Sequence, residues 1–205
     1  MRIPPALRDA PRMLRRTPKI VRNALRDLRY GAPLGGTIKS RYEHLGAHDV
    51  GNVDYDVLAA LFAEVEIAPG DVIVDVGAGK GRALNWFLGR YPGTPLYGIE
   101  LDPEVCERTA KRLARFPNVT VMCGDATKLL PPEGTVLYLF NPFGEEVMRE
   151  FSSALLSLEP APNGRPRRVV YLNSKFLDPF RDEPRLEVRR LELPIGFDAA
   201  LIEVR

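Results

Sequence analysis

A glycine-rich run is the stretch of this sequence best suited to hold a ligand. It reads Val74-Asp-Val-Gly-Ala-Gly-Lys-Gly-Arg82 and follows a short apolar segment rich in β-branched residues. Alternate glycines let the main chain turn tightly and let a ligand lie against bare backbone. The run is neither a dinucleotide fingerprint, because position 82 is Arg rather than Gly, nor a P-loop, because no Gly-Lys-Ser/Thr end is present. Taken alone, it is equally compatible with a tight connection that binds nothing.

Polar residues also follow the next three predicted strands. Glu100 ends the second strand, where a carboxylate can accept two hydrogen bonds from ribose hydroxyls. Asp125 follows the third strand and can accept a hydrogen bond from an adenine amine. The run Asn141-Pro-Phe-Gly144 follows the fourth strand. Alone, Glu100 fits a solvated strand end and Asp125 fits a helix cap. Because the carboxyl ends of parallel strands meet at one edge of a sheet, the set together favours a single ligand-binding crevice.

Alternating strand and helix patterns position these residues. Short apolar runs predict strands, and apolar residues at helical spacing predict the helices between them. The strands are predicted at 71–76, 95–101, 118–123, 136–140 and 168–173, the helices at 80–90, 103–115 and 144–158, and a closing antiparallel pair in the tail. This order predicts an α/β fold with a Rossmann-like, seven-stranded, mostly parallel sheet. We expect an antiparallel C-terminal strand, helices on both faces and an N-terminal helical cap.

The first 30 residues are strongly basic. They carry nine Lys or Arg against two Asp, a balance of +7, whereas the remaining 175 residues carry −5. A helix is predicted to begin at Pro18 with Thr17 as its cap and to end just before Gly31, with Ile20, Leu25 and Leu28 on one face. We favour packing of this apolar face on the domain, with the arginines in water. Contact of residues 1–30 with nucleic acid or with an anionic membrane surface stays an alternative.

The composition limits the class of protein and its location. The longest apolar run, 136–140, is far too short to span a membrane, and the first ten residues do not resemble a secretory signal. Cys106 and Cys123 cannot build a disulfide framework or a four-cysteine zinc site. We therefore expect a reducing, cytoplasmic location and no metal. The predicted division is a basic arm and flexible cap segment at 1–50 and a ligand-binding domain at 51–205.

The ordered set VDVGAGKGR, GIEL, GDA and FNPFG resembles the class I S-adenosylmethionine-dependent methyltransferases, in particular small bacterial members with the FNPFG run. The resemblance covers residues 54–175 well and the first 40 residues hardly at all. It implies S-adenosyl-L-methionine as the cofactor and puts Asp75 near its methionine end. The residues it implies for cofactor binding are Asp75, Gly77, Ala78, Gly79, Gly81, Glu100, Leu101, Asp125, Ala126 and Asn141.

The same resemblance implies that Asn141, Pro142 and Phe143 meet the methyl acceptor. In relatives with Asn/Asp-Pro-Pro-Tyr/Phe, the polar side chain and a proline carbonyl accept hydrogen bonds from an amine, and the ring lies against the substrate. This sequence has one proline at that position instead of two. An amine nitrogen is slightly favoured and a hydroxyl stays open. Phe143 fits a core aromatic equally well.

A hydroxyl acceptor would need a base. The candidates are His44 and His48, with Tyr42 and Tyr55 as further lid residues, provided that the glycine-rich segment before the domain folds over the cofactor.

Two other functions compete with methyl transfer. One is a non-catalytic cofactor-binding module that uses its basic arm to associate with nucleic acid or membrane. The other is a nicotinamide-dependent oxidoreductase, which Arg82 disfavours. The sequence does not distinguish a small-molecule, protein or RNA acceptor.

Overall fold

Apolar residues, many of them β-branched or aromatic, form seven short strands that pair into one mixed sheet. The computed structural model describes residues 10–194 and 196–205. The strands are β1 (Ile73–Val76), β2 (Leu96–Glu100), β3 (Val119–Cys123), β4 (Val136–Phe140), β5 (Arg168–Leu172), β6 (Leu186–Leu191) and β7 (Ala199–Val204). Their order is β3-β2-β1-β4-β5-β7-β6, parallel from β1 to β5 and antiparallel at β7. The predicted fold class is confirmed.

Helices cover both faces of this sheet. They are α1 (Ala10–Leu28), α2 (Tyr55–Leu61), α3 (Arg82–Arg90), α4 (Pro103–Leu113), α5 (Glu145–Ser157) and α6 (Asp178–Arg181), with a 3-10 turn at Glu43–Leu45. On one face, Leu58 and Phe87 pack with Ile73, and on the other, Phe151 and Phe180 pack in a separate apolar cluster. Among the described residues, no helix combines the length and the apolar composition needed to cross a bilayer.

The start of α1 differs from the prediction. We expected Thr17 to cap a helix beginning at Pro18, but α1 begins at Ala10 and continues through Pro18. The proline removes one backbone hydrogen bond, which an already formed helix tolerates at some cost. Residues 1–9 of the predicted basic arm lie outside the described residues. The short helix α6 was not predicted, since four residues carry no helical periodicity.

The face of α1 that packs on the domain is the opposite of the one we predicted. Its polar residues Asn23 and Asp27 are 4% and 0% exposed, whereas Ile20, Leu25 and Leu28 are 62%, 61% and 53% exposed. The interpretation that the apolar face packs on the domain is therefore wrong. Carboxylates of the domain decide the orientation, because Asp54 pairs with Lys19 and Asp56 pairs with both Arg22 and Arg26.

A buried ion pair anchors α1 to the start of α3. Arg82 donates from Nε and Nη2 to the two oxygens of Asp27, at 3.0 and 2.7 Å. The same carboxylate accepts from the Tyr55 hydroxyl at 2.9 Å and from the Leu34 amide at 3.0 Å. Four donors thus satisfy a carboxylate that is fully removed from solvent. Since Arg82 directly follows the glycine run, the pair ties the N-terminal segment to that loop.

The two cysteines are joined. Cys106 on α4 and Cys123 at the end of β3 form a disulfide that connects positions 17 residues apart. The expectation of a reducing compartment rested on the low cysteine count, and a structural disulfide does not favour it. Among the described residues β3 is the edge strand of the sheet, and Cys123 at its end is exposed.

Loss of the buried ion pair between Asp27 and Arg82 should strongly destabilise the fold. Asp27→Asn leaves the Arg82 guanidinium buried without its counter-charge, and we expect the free energy of unfolding to fall by about 3 kcal/mol. Urea unfolding of both proteins measures this difference. Arg22→Gln is the matched control, because it removes an exposed partner of Asp56 and should change stability by less than about 0.5 kcal/mol. Equal effects of the two substitutions would contradict an anchoring role for the buried pair.

Candidate active site

A cavity of about 910 Å³ opens at the carboxyl ends of the parallel strands. This is the position at which open α/β sheets bind ligands. Loops after β1 to β5 form its floor and walls, and residues 40–51 cover it as a lid. Of the predicted site residues, those lining the cavity are Gly77, Glu100, Leu101, Asp125, Ala126, Asn141, Pro142 and Phe143. Asp75, Ala78, Gly79 and Gly81 do not line it and lie in or beneath the glycine loop.

The glycine loop is packed too tightly for side chains. Gly77 has φ +76°, and a Cβ there would lie 2.7 Å from the Cβ of Pro142. Gly79 has φ +53°, and a Cβ would lie 2.7 Å from a methyl group of Val50 in the lid. Both glycines are needed for backbone conformation and for close approach. The loop therefore touches the fourth-strand loop on one side and the lid on the other.

Glu100 is held at the floor of the cavity by two backbone amides. Its Oε2 accepts from the Gly79 amide at 2.7 Å, and its Oε1 accepts from the Asp102 amide at 2.9 Å. The residue is 6% exposed. Burial raises the pKa of this carboxyl, and the two amides oppose the rise because they stabilise the charged form. The contacts fix the carboxylate beside the glycine loop.

Asp75 lies in the middle of β1 and is almost fully buried. Burial, reinforced by the nearby Glu100 carboxylate, raises the pKa of Asp75 to about 8. Its Oδ2 has no hydrogen-bond partner among the described residues, and neither has the hydroxyl of Tyr138, the residue opposite it on β4. A neutral carboxylic acid and a phenol thus lie under the loop with hydrogen-bonding capacity unused.

Asp125 begins the loop on the far side of the cavity. Its Oδ1 accepts from the amide and the hydroxyl of Thr127, at 2.9 and 2.8 Å, and its Oδ2 pairs with Lys128 at 2.9 Å. Burial acts to raise the pKa of Asp125, but these donors lower it overall. The side chain thus makes local contacts of the kind expected from a helix cap, and it also lines the cavity.

Asn141 forms the wall opposite Asp125 and has an unusual backbone. Its φ is +46°, and its Oδ1 accepts from the Tyr171 hydroxyl at 2.9 Å. Phe143 is 7% exposed and packs against Phe151 with ring centres 5.8 Å apart. Phe143 therefore has the environment of a core aromatic although part of it reaches the cavity. The Asn141 carboxamide is oriented by a buried partner.

The lid is bonded to this wall through main-chain groups. The His48 amide donates to the Pro142 carbonyl at 3.0 Å, and the Gly144 amide donates to the Gly46 carbonyl at 2.9 Å. The His48 Nδ1 lies 2.8 Å from the Asn141 carbonyl and 3.1 Å from the Asn141 Nδ2. One nitrogen cannot donate to the carbonyl and accept from the amide, so the shorter contact assigns the proton to Nδ1. The Nε2 then carries the lone pair of the neutral imidazole.

The structure separates the candidates in the glycine-rich segment. Tyr42, His44 and His48 line the cavity. Tyr55 does not, because it is buried and its hydroxyl is bonded to Asp27. Several cavity residues were missed by the sequence analysis, among them Ser40, Gly46, Ala47, Val50 and Asn173. Asn173 follows the fifth strand and could have been found by the same argument as Asn141; the others carry no spacing or periodicity.

Residues 73–155 match the family model described as a methyltransferase domain. The match begins at β1, contains the glycine loop, Glu100 and Asp125, and ends in α5. The matched stretch, residues 73–155, is a methyltransferase domain. The sheet order and the position of the cavity in this methyltransferase domain agree with that assignment. The resemblance stated from the motifs is confirmed at the level of the class.

Similar proteins span several acceptors. The chain is 30% identical over 103 residues to trans-aconitate 2-methyltransferase of Rhizobium meliloti (strain 1021), covering 49% of this chain and 39% of that protein. It is 33% identical over 85 residues to a probable ribosomal RNA small subunit methyltransferase A of Methanosarcina acetivorans, covering 42% and 29%. The chain thus spans less than half the length of these relatives. An RNA methyltransferase from Salinibacter ruber, solved with S-adenosyl-L-homocysteine, shares the fold with a TM-score of 0.57 at 22% identity, covering 75% of this chain and 94% of that one.

The buried Asp75 carboxyl should make stability depend on pH. Its pKa of about 8 in the folded state lies above the unfolded value of 3.8, so the folded state keeps a proton that the unfolded state has released. The free energy of unfolding therefore falls as the pH rises from the unfolded pKa of 3.8 to the folded pKa of about 8. Between about pH 6 and pH 8 the free energy of unfolding should fall by about 2 kcal/mol more in the native sequence than in Asp75→Asn.

Urea unfolding at several pH values measures this slope. Asp178→Asn, which changes an exposed carboxylate, is the control and should keep the slope of the native sequence. Parallel pH profiles for the native sequence and Asp75→Asn would show that Asp75 is ionised in the folded protein at neutral pH.

Proposed function

We propose that the protein transfers a methyl group from S-adenosylmethionine to an amine nitrogen of a cationic acceptor. The observation that carries the proposal is that one cavity joins the glycine loop and Glu100 at one end to Asn141 and His48 at the other. When bound, the cofactor supplies a methyl group on a positively charged sulfur. The protein has to position the acceptor and to exclude water.

The residues present fit the cofactor. Glu100 would accept the ribose hydroxyls, and Asp125 would accept the adenine amine, with Leu101 and Ala126 beside the ring. Gly77, which lines the cavity, would meet the remainder of the cofactor, whereas Ala78, Gly79 and Gly81 shape the loop behind it. The unpartnered Oδ2 of Asp75 lies beneath this loop and leaves a hydrogen-bonding position unused. The complete run Asn141-Pro142-Phe143, which would meet the methyl acceptor, favours an enzyme over a non-catalytic binding module.

The charge of the cavity supports a cationic acceptor. Among the described residues that line it, one lysine, Lys128, is present, and it is paired with Asp125. The carboxylates that line it are Asp49, Glu100, Asp102, Asp125, Glu145, Glu146 and Glu150, of which Asp102 pairs with Arg41 and Glu145 with Arg149. Such a surface attracts a protonated amine and repels phosphate or carboxylate groups. It therefore disfavours acceptors like RNA and trans-aconitate, on which similar proteins act by name.

In this proposal Asn141, Pro142 and Phe143 orient the acceptor. The Asn141 Oδ1 and the Pro142 carbonyl each accept one hydrogen bond within the protein, from Tyr171 and from the His48 amide. A carbonyl oxygen can accept two, so each oxygen has one position left for an amine. Phe143 contributes apolar surface at the same wall.

His48 is the proposed general base. Donation from Nδ1 to the Asn141 carbonyl keeps Nε2 as the acceptor of the ring. A protonated amine has no lone pair with which to attack the methyl group, and transfer of its proton to Nε2 would produce the nucleophile. The same nitrogen could deprotonate a hydroxyl, so the chemical class of acceptor has to be measured.

Glu100→Ala should weaken cofactor binding. The substitution removes the proposed acceptor of the ribose hydroxyls and also leaves the amides of Gly79 and Asp102 without a partner. Since hydrogen bonds to charged groups contribute about 1.5–3 kcal/mol, affinity for S-adenosylmethionine should fall tenfold to a hundredfold. Titration calorimetry measures this change. Glu104→Ala, which alters an exposed carboxylate, should bind normally; normal binding by a folded Glu100→Ala protein would remove Glu100 from the site.

Turnover on a panel of acceptors tests the proposal as a whole. The protein is incubated with methyl-labelled S-adenosylmethionine and primary amines, hydroxyl compounds, carboxylates and RNA. Label should enter the amines. On the best acceptor, His48→Gln should lower kcat by at least about a hundredfold with cofactor affinity unchanged.

The pH dependence separates a base from a structural residue. In His48→Gln the remaining rate should keep rising with pH, because the amine then loses its proton to solvent. Glu43→Gln, in the same lid but exposed and outside the cavity lining, should behave as the native sequence does. Label confined to RNA or carboxylates would refute the amine acceptor, and an unaltered rate in His48→Gln would exclude His48 as the base.

A further inference from the structure

The apolar residues of α1 form an exposed stripe. Ile20, Val21, Leu25 and Leu28 are 62%, 50%, 61% and 53% exposed. They are spaced so that they lie side by side on one face of the helix. Large apolar side chains in water are ordinary when single, but a contiguous set indicates a contact surface. The stripe is a conspicuous apolar surface among the described residues and lies apart from the cavity-lining set.

The stripe is exposed because polar contacts hold the opposite face of α1. Asn23 donates to Asp54 at 2.6 Å, and Asp27 is bound by Arg82. The basic side chains Lys19, Arg22 and Arg26 are paired with Asp54 and Asp56. These charges are thus occupied by the domain, and the free face of the helix is the apolar one. This arrangement does not suit nucleic acid, whose backbone is bound by free basic side chains.

Unpaired positive charge lies at the C-terminal end of the stripe. Arg29 and Arg115 are exposed, and Arg115 donates to the Arg29 carbonyl at 2.7 Å. Neither forms an ion pair with a described residue. The first 30 residues together carry +7, while the rest of the chain carries −5. An apolar stripe next to arginines matches a surface that offers both hydrocarbon and negative charge.

We infer that α1 is a membrane-docking helix that lies flat on an anionic lipid surface, with Ile20, Val21, Leu25 and Leu28 in the acyl region and Arg29 and Arg115 at the headgroups. Helices of this kind bind through buried apolar area together with attraction to anionic lipids. A second copy of the chain fits this surface less well than a membrane does, because the apolar area is too small for a stable dimer. Four partly exposed side chains offer on the order of 300 Å², whereas stable dimers bury roughly 800 Å² per partner.

Vesicle co-sedimentation of the full chain tests the inference. The protein should bind vesicles of phosphatidylcholine and phosphatidylglycerol in equal parts, and at least tenfold more weakly vesicles of phosphatidylcholine alone. The variant Ile20→Ser/Leu25→Ser should lose about tenfold per substitution. Arg29→Gln/Arg115→Gln should weaken binding to the anionic vesicles and leave the neutral ones unaffected. All changed side chains are exposed, and thermal melts check that the variants fold.

Phe197→Ser is the matched control. Phe197 is 38% exposed but lies on the loop before β7, so its loss should leave vesicle binding unchanged. The inference is overturned if the native protein does not bind anionic vesicles, or if Ile20→Ser/Leu25→Ser binds as well as it does. Dimerisation that this variant abolishes, without vesicle binding, would assign the stripe to a second copy. Binding to RNA in place of vesicles would assign the basic charge to nucleic acid.

Discussion

The buried pair of Asp27 and Arg82 connects two parts of the molecule that are far apart in sequence. Arg82 follows the glycine run and starts α3, while Asp27 lies near the end of α1. A buried charge is tolerated only when it is paired and hydrogen-bonded. The positions of α1 and of Leu34, whose amide joins the pair, are therefore set by the same group that starts α3. The lid at residues 40–51 continues from this anchored segment over the cavity.

Burial of two further carboxyl groups sets the electrostatics of the site. Asp75 and Glu100 both lie close to the glycine loop, and the same low-polarity surroundings raise the pKa of both carboxyls. They differ in their donors, since Glu100 has two backbone amides and the Oδ2 of Asp75 has no partner among the described residues. The two amides favour the charged form of Glu100, whereas no donor to the Oδ2 of Asp75 opposes the rise in its pKa that burial causes.

Lid and wall form a single hydrogen-bonded unit at the other end of the cavity. His48 is held through its own amide and through Nδ1, and both contacts go to the loop after β4. A base with a fixed ring orientation and a defined tautomer is suited to one direction of proton transfer. The wall thus has two tasks in the proposed mechanism, since it presents acceptor oxygens and also orients the imidazole.

Much of the fold could be derived from the amino-acid sequence because strands and helices are local. Short apolar runs and helical spacings located the parallel strands and most helices within about two residues, a normal margin for element ends. The residues at the ends of the first four parallel strands were also found, since strand direction brings those ends to one edge. The glycine loop, Glu100, Asp125 and Asn141 needed no knowledge of long-range packing.

Contacts between distant segments were decided only by the tertiary structure. The sequence placed the apolar face of α1 inside, because local patterns favour burial of apolar residues. Instead, the carboxylates of Asp54 and Asp56 bind basic side chains of α1, and Arg82 binds its Asp27. The pairing of Cys106 with Cys123 and the choice of His48 over Tyr55 as a cavity residue likewise depend on which segments meet. Amphipathic periodicity determines that a helix has two faces, whereas which face is buried depends on the charges that the rest of the chain presents to it.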